Sequence, residues 1–183
     1  LASAEKEIVA ALDYAFSEVG FCICNNAYSD PEIREDAFAA SRAFHKLPET
    51  VKASYAINSA HRGYISPKSS TSRTSSVTKV QRPNTSESFM LMHEVLENDP
   101  RLGKPLQGPN QWPQEVPGFQ DKMTAYWQDV NCTARKLTKL CLKVLGIEIG
   151  LYEAWFRQPT EFLRLLHYWP EVPEEPQDSF GSA

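Results

Sequence analysis

Residues 161–183 read EFLRLLHYWPEVPEEPQDSFGSA. Leu163, Leu165 and His167 recur at every second position, the period of a strand that turns one face to a core. Trp169 would continue that face and Tyr168 the opposite one. A run of prolines and acids follows, and the sequence then stops. A strand has to pair its backbone N–H and C=O groups with something. So apolar a strand with so little chain after it predicts partners beyond residue 183. Leu1 leads almost directly into a helical pattern, and both ends of the chain read as cut.

Working back from that strand, residues 116–146 carry Phe119, Met123, Tyr126, Trp127, Val130, Ala134, Leu137, Cys141, Val144 and Leu145 on one broad apolar face. This spacing predicts a long helix, a structural spine, with Gly146 as its stop. GLYEAWFRQPT, residues 150–160, reads as a shorter helix or turn. At the other end, Ile8, Leu12, Ala15, Phe16 and Val19 make the stripe of a helix over 4–19 that Gly20 can end. GFCICN, residues 20–25, then reads as a strand with Phe21 and Ile23 on one side and Cys22 and Cys24 on the other. Asp30 and Pro31 open the next helix as cap and first residue. Ile33, Ala37, Ala40 and Phe44 form its buried stripe, Leu47-Pro48 ends it, and PETVKASY adds a short helical turn.

Residues 61–94 differ in character. Their Ser- and Thr-rich centre has no apolar period, so a long loop is expected, whereas Gly63-Tyr64-Ile65 and Phe89-Met90-Leu91-Met92 are apolar enough to tether its two ends. No repeat divides the chain, and one domain is the simplest organisation.

The chain has 183 residues, 42% of them hydrophobic and 23% charged, with a net charge of −4 and a pI near 5.6. That is a globular composition, and its scattered Lys and Arg argue against nucleic acid as a partner. No stretch matches the roughly 20 apolar residues of a membrane span, and no signal-peptide order opens the chain, so a cytoplasmic protein without a membrane partner is expected. Cys22, Cys24, Cys132 and Cys141 read as buried, reduced thiols, since no second Cys or His pair backs C-x-C at metal-finger spacing.

Catalytic motifs are few. G-x-S-x-G is absent, and so are both glycine-rich phosphate loops. Of the four histidines, His45 lies where it can cap the end of a helix, while His61 and His93 flank the loop. His167, in an apolar strand, is either a satisfied core residue or part of a pocket.

Taken in order, the first helix, EVGFCICNNAYSDPEIREDAFAASRAFHKLPETVKASY, RGY, SESF, the spine helix and LRLLHYWPEVP resemble the N-terminal half of the iron(II)- and 2-oxoglutarate-dependent oxygenases related to isopenicillin N synthase. AFHKLPETVK matches the end of that family's second helix closely, whereas CNNAYS departs from its usual N-H-G. The resemblance implies an α+β fold, a double-stranded β-helix or jelly roll with flanking helices, of which residues 1–183 hold the helices and first strands and lack the C-terminal half of the barrel. It implies iron(II) held by two histidines and a carboxylate, 2-oxoglutarate and molecular oxygen as co-substrates, and oxidation of a C–H bond in a small molecule, by a monomer. The family's H-x-D motif occurs nowhere in the sequence, so neither a metal ligand nor a catalytic residue is assigned in this chain.

By position in the family, His167, Tyr168 and Trp169 are the candidates for the cofactor pocket. Alignment to Pro170 turns His167 and Trp169 inward; a related arrangement turns Tyr168 inward instead. Arg62, Tyr64, Ser88 and Phe89 are the substrate-binding candidates, with Arg62 facing an acidic or carbonyl group unless it anchors its own loop in a salt bridge. The alternative to an enzyme is a metal-free binding module on the same fold, with the Ser/Thr loop as its partner surface.

Overall fold

In a computed structural model the described residues are 2–25, 30–69 and 85–169. The turn at 26–29, the centre of the Ser/Thr loop at 70–84, and everything from Pro170 onward lie outside them. The elements run α1 (Ala2–Tyr14) with a π-helical turn over Ala15–Val19, α2 (Pro31–His45), α3 (Glu49–Ser54), β1 (Gly63–Ile65), β2 (Glu87–Met92), α4 (Phe119–Val144), α5 (Ile149–Trp155) and β3 (Phe162–His167). They fall into two compact units, Leu1–Phe38 with Asp121–Pro159, and Ala39–Gln120 with Thr160–Ala183.

The first unit is helical, and its helix ends follow the sequence. Gly20 takes φ 95° and donates its N–H to Ala15 O, closing the π turn. Asp30 Oδ1 accepts the Glu32 N–H at 2.9 Å, as an N-cap should. At the end of α4, Gly146 has φ 67° and donates to Lys143 O, and Ile147 donates to Leu142 O. This paired closure uses the left-handed backbone that glycine adopts without penalty. Met123, Leu142, Leu12, Ala37 and Tyr152 are buried. Lys139 bonds Glu153 at 2.9 Å and lies 4.7 Å over the ring of Tyr152, fastening α5 to α4. No helix among the described residues is long and apolar enough to cross a membrane.

One sequence expectation fails in this unit. Residues 21–25 are not a strand: Phe21 is 67% and Ile23 84% exposed, and no other described segment pairs with them. Alternation makes a segment fit for a sheet, but without a neighbouring edge its backbone bonds water instead. The thiols follow suit. All four are free, yet Cys24 and Cys132 are exposed and Cys22 and Cys141 only half-buried.

The second unit is built on a three-stranded antiparallel sheet in the order β1-β2-β3. The two tethered ends of the 61–94 segment pair with each other, Tyr64 opposite Phe89, and β3 lies along the other edge of β2 with Glu87 opposite His167. β3 therefore has a partner earlier in the chain rather than only beyond it. Every residue of β2 is buried. Because opposite residues share a face, Tyr64, Glu87, Phe89, Leu91, Leu163, Leu165 and His167 lie on one side of the sheet. Ser88, Met90, Met92, Phe162, Arg164 and Leu166 lie on the other.

Phe44 of α2 covers the first side. Its ring meets Phe89 edge-on at 4.6 Å and Tyr64 and Phe119 at 6.0 Å, and Phe89 meets Phe119 at 5.7 Å. Phe44 and Phe89 have no exposed surface. Gly63, at φ 119°, begins β1 where the chain passes close under the turn after α3. A Cβ there would stand 2.3 Å from both Tyr55 O and Gln111 Nε2. Where β1 stops, the Asn110 side chain takes over: its Oδ1 accepts the Met92 N–H at 2.9 Å and its Nδ2 donates to Met92 O at 2.7 Å. The ladder of β2 is thus completed by a side chain.

Two outcomes follow for stability, both read by chemical denaturation. Phe44→Ala leaves a cavity beside the rings of Tyr64, Phe89 and Phe119 and lowers stability by about 3–5 kcal/mol. Gly63→Ala combines a forbidden contact with an unfavourable φ, so in place of the roughly 0.4–1 kcal/mol that Gly→Ala gains at a compatible position it destabilises by more than that amount, enough to prevent folding of a marginal domain.

Candidate functional site

The sheet and α3 bring together a cluster of polar side chains around Glu87. Glu87 is 1% exposed, at the first position of β2. Lys52 of α3, itself 5% exposed, donates to Glu87 Oε2 at 2.6 Å. The Tyr64 hydroxyl of β1 donates to the same oxygen, with a Glu49 oxygen 3.1 Å from it. His167 of β3 donates Nδ1–H to Glu87 Oε1 at 2.8 Å. A carboxylate has no protons to give, so each of these three must be a donor, and the tautomer of His167 is fixed by that.

The charges follow from this geometry. Burial pushes the Glu87 carboxyl up, but bonds from Lys52, Tyr64 and His167, with the Lys52 charge, outweigh it and hold it below its ordinary value. Burial and the neighbouring Glu87 and Glu49 carboxylates push the Tyr64 phenol far up, so it stays a donor at every accessible pH. His45, in the last turn of α2, is buried, which lowers its pKa; its Nδ1–H donates to Ser41 O at 2.8 Å, and its Nε2 has no partner among the described residues. This is the capping role expected for it. Its ring lies 5.2 Å from His167, whose other neighbour is Trp169 at 4.9 Å.

The predicted residues therefore separate. His167 lies beside Glu87 and His45 of α2, on the covered side of the sheet, while Trp169, just past the strand and 45% exposed, touches the His167 ring. Tyr168, 39% exposed, follows the alternation to the side of Arg164 and Leu166, where β3 is open: Phe162 is 68% and Leu166 44% exposed. His167 thus has a satisfied structural partner in Glu87.

The substrate-binding expectations fare less well. Arg62 is fully buried, and its guanidinium donates to Ala60 O, to Leu106 O at 2.8 Å and to His93 O at 2.9 Å. It anchors its own loop, through carbonyls rather than the salt bridge considered from sequence, and has no face left for substrate. Its O is in turn held by Gln111 Nε2 at 2.8 Å. Tyr64 is committed to Glu87, and Phe89 is core. Ser88 is also fully buried, but its Oγ accepts the Nε–H of Arg164 at 3.0 Å on the open side of the sheet. Glu87, Lys52 and Arg164 were not singled out by the sequence. The signal for Glu87 was an acid within a strand that is otherwise nearly apolar, a placement that demands a cation.

Among the described residues no group of three or more His, Cys, Asp or Glu side chains converges as a metal site. Glu87 spends Oε1 on His167 Nδ1 and Oε2 on Lys52 and Tyr64, so its carboxylate is taken up by protein donors. The described residues thus do not fit the iron that the family implies.

Residues 1–115 match the family model described as the N-terminal region of the non-haem dioxygenase in morphine synthesis. The 2-oxoglutarate-dependent dioxygenase eupC of Phoma sp is 31% identical over 84% of this chain and 50% of its own length. Azadirone synthase LFS of Melia azedarach is 30% identical over 88% of this chain and 49% of its own. The chain therefore spans about half the length of the curated relatives it matches. In fold it is similar to a 2OG-Fe(II) oxygenase family protein from Caulobacter crescentus, with a TM-score of 0.78 at 20% identity, over 95% of this chain and 55% of that one. A full-length Neurospora crassa protein, solved in complex with alpha-KG and 5-formyluracil, gives 0.70 at 22% identity over 90% and 47%. A match running from α1 through β2 and on to Glu115, together with the order of helices and strands, shows that this chain belongs to the non-haem dioxygenase family and carries its N-terminal region.

Proposed function

We propose that the protein containing this chain is an iron(II)- and 2-oxoglutarate-dependent dioxygenase that oxidises a C–H bond of a small molecule, with molecular oxygen as the other co-substrate. In this reading residues 1–183 supply the helices and first strands of one double-stranded β-helix domain, and the iron ligands come from outside the described residues. The observation that carries it is the family match over residues 1–115, joined to a likeness in fold to 2OG-Fe(II) oxygenases over 95% of the chain.

The chain's own contribution is to set a wall of the pocket. The Glu87 cluster and Phe44 close one side of the sheet, and on the other side β3 is the exposed strand, which ligands can approach. There Tyr168 presents a hydroxyl able to donate to a co-substrate carboxylate, and Phe162 and Leu166 supply apolar surface that excludes water. Bound iron and 2-oxoglutarate would supply the oxidising chemistry; positioning and desolvation fall to residues such as these.

The test is succinate formation from 2-oxoglutarate by the full-length protein with iron(II). Turnover is expected. Tyr168→Phe should raise KM for 2-oxoglutarate about tenfold, the value of one lost hydrogen bond to a charged group, while His167→Gln lowers stability and leaves KM within about twofold. Failure of the folded protein to bind iron(II) or consume 2-oxoglutarate would replace this reading with that of a metal-free binding module.

A further inference from the structure

The arginines of the second unit are used in different ways. Arg62 gives its guanidinium to three carbonyls, and Arg101 is paired with Asp99 through Nε and Nη2. Arg164 has neither arrangement. It stands at the centre of β3, opposite Met90 and diagonal to Ser88, on the side of the sheet that bears Met92, Phe162 and Leu166. Ser88 Oγ holds its Nε at 3.0 Å, and Ser88 is fully buried. Both Nη atoms are without a partner among the described residues, and no carboxylate of those residues comes within ion-pair distance.

This combination has a physical meaning. Arg164 is exposed, so water solvates its charge, and its guanidinium stays available to an anion that reaches this face. A surface arginine chosen only for solubility would not need its Nε fixed by a buried hydroxyl. Anchoring Nε removes part of the rotamer freedom and leaves the planar pair of Nη donors facing outward, the geometry that binds a carboxylate through two parallel bonds. We propose that Arg164, oriented by Ser88, is a specificity-determining residue that binds a carboxylate of the small molecule to be oxidised. The inference rests on the dioxygenase reading and on the open side of β3 being the pocket side. It transfers to Arg164 the role that sequence order suggested for Arg62.

Two sources could supply that carboxylate, the substrate or 2-oxoglutarate, and the proposal commits to the substrate. The probes are small monocarboxylic acids, from benzoate to decanoate, each beside its methyl ester, titrated calorimetrically into the full-length protein with saturating 2-oxoglutarate. At least one acid should bind about tenfold or more tightly than its ester, the difference one charge-assisted pair supplies. Arg164→Gln, at an exposed position that should fold, erases that preference, while KM for 2-oxoglutarate changes less than about twofold. The proposal is overturned if no acid outbinds its ester, if the preference survives in Arg164→Gln, or if acids bind only by displacing 2-oxoglutarate. A wild-type protein that shows the acid preference without consuming 2-oxoglutarate keeps the carboxylate site and removes the enzymatic reading on which it was placed.

Discussion

A carboxylate with almost no exposure has to be balanced by its neighbours, and Glu87 meets that demand with donors from three separate elements: Lys52 from α3, Tyr64 from β1 and His167 from β3. Removing two charges from water costs several kcal/mol each, which only close and fully bonded geometry offsets. The pair therefore carries little net stability as a pair. Its effect is to make every competing arrangement worse, since any shift of β3 along β2 would strand the Glu87 charge. A slip of one residue would also exchange the two faces of the sheet.

That constraint decides which side chains of β3 are available for function. With His167 held on the side of Phe44 and α2, the open side is left to Phe162, Arg164, Leu166 and Tyr168. An apolar strand with an arginine at its centre then becomes intelligible as the wall of a site. The same logic explains why Arg62 is not available. Residues 58–62, 93 and 106 are not in regular structure, so their carbonyls need donors, and a single guanidinium serves three of them.

Much of this was legible in the sequence. The helices α1, α2 and α4 follow from apolar spacing, and Asp30, Gly20 and Gly146 mark ends that the backbone confirms. The alternation of β3 was correct as well. What the sequence hid was pairing. Phe21 and Ile23 have the pattern of a strand, but pattern does not say whether an edge is present to receive it. Conversely, the tethered ends of the 61–94 loop pair with each other and with β3, a register that no local pattern encodes. Glu87 and Arg164 escaped notice for the same reason: an acid and an arginine in apolar strands take their meaning from the residues opposite and diagonal to them.

Everything on the open side of β3 depends on Glu87 being ionised and bonded in the folded protein and fixing the sheet through that charge. Its folded pKa lies below the unfolded value near 4.5, so the stability it contributes is present above that value and is lost as pH falls through the folded pKa. The decisive measurement is chemical denaturation of the full-length protein and of Glu87→Gln from pH 7 to pH 3. Glu87→Gln should be less stable by about 3 kcal/mol at neutral pH, because buried Lys52 is left with only the largely exposed Glu49 carboxylate, 3.3 Å away, as counter-charge, and the gap should close as the pH drops below 4.5. A gap absent at neutral pH, or one constant across the range, would show that the Glu87 charge does not hold the sheet.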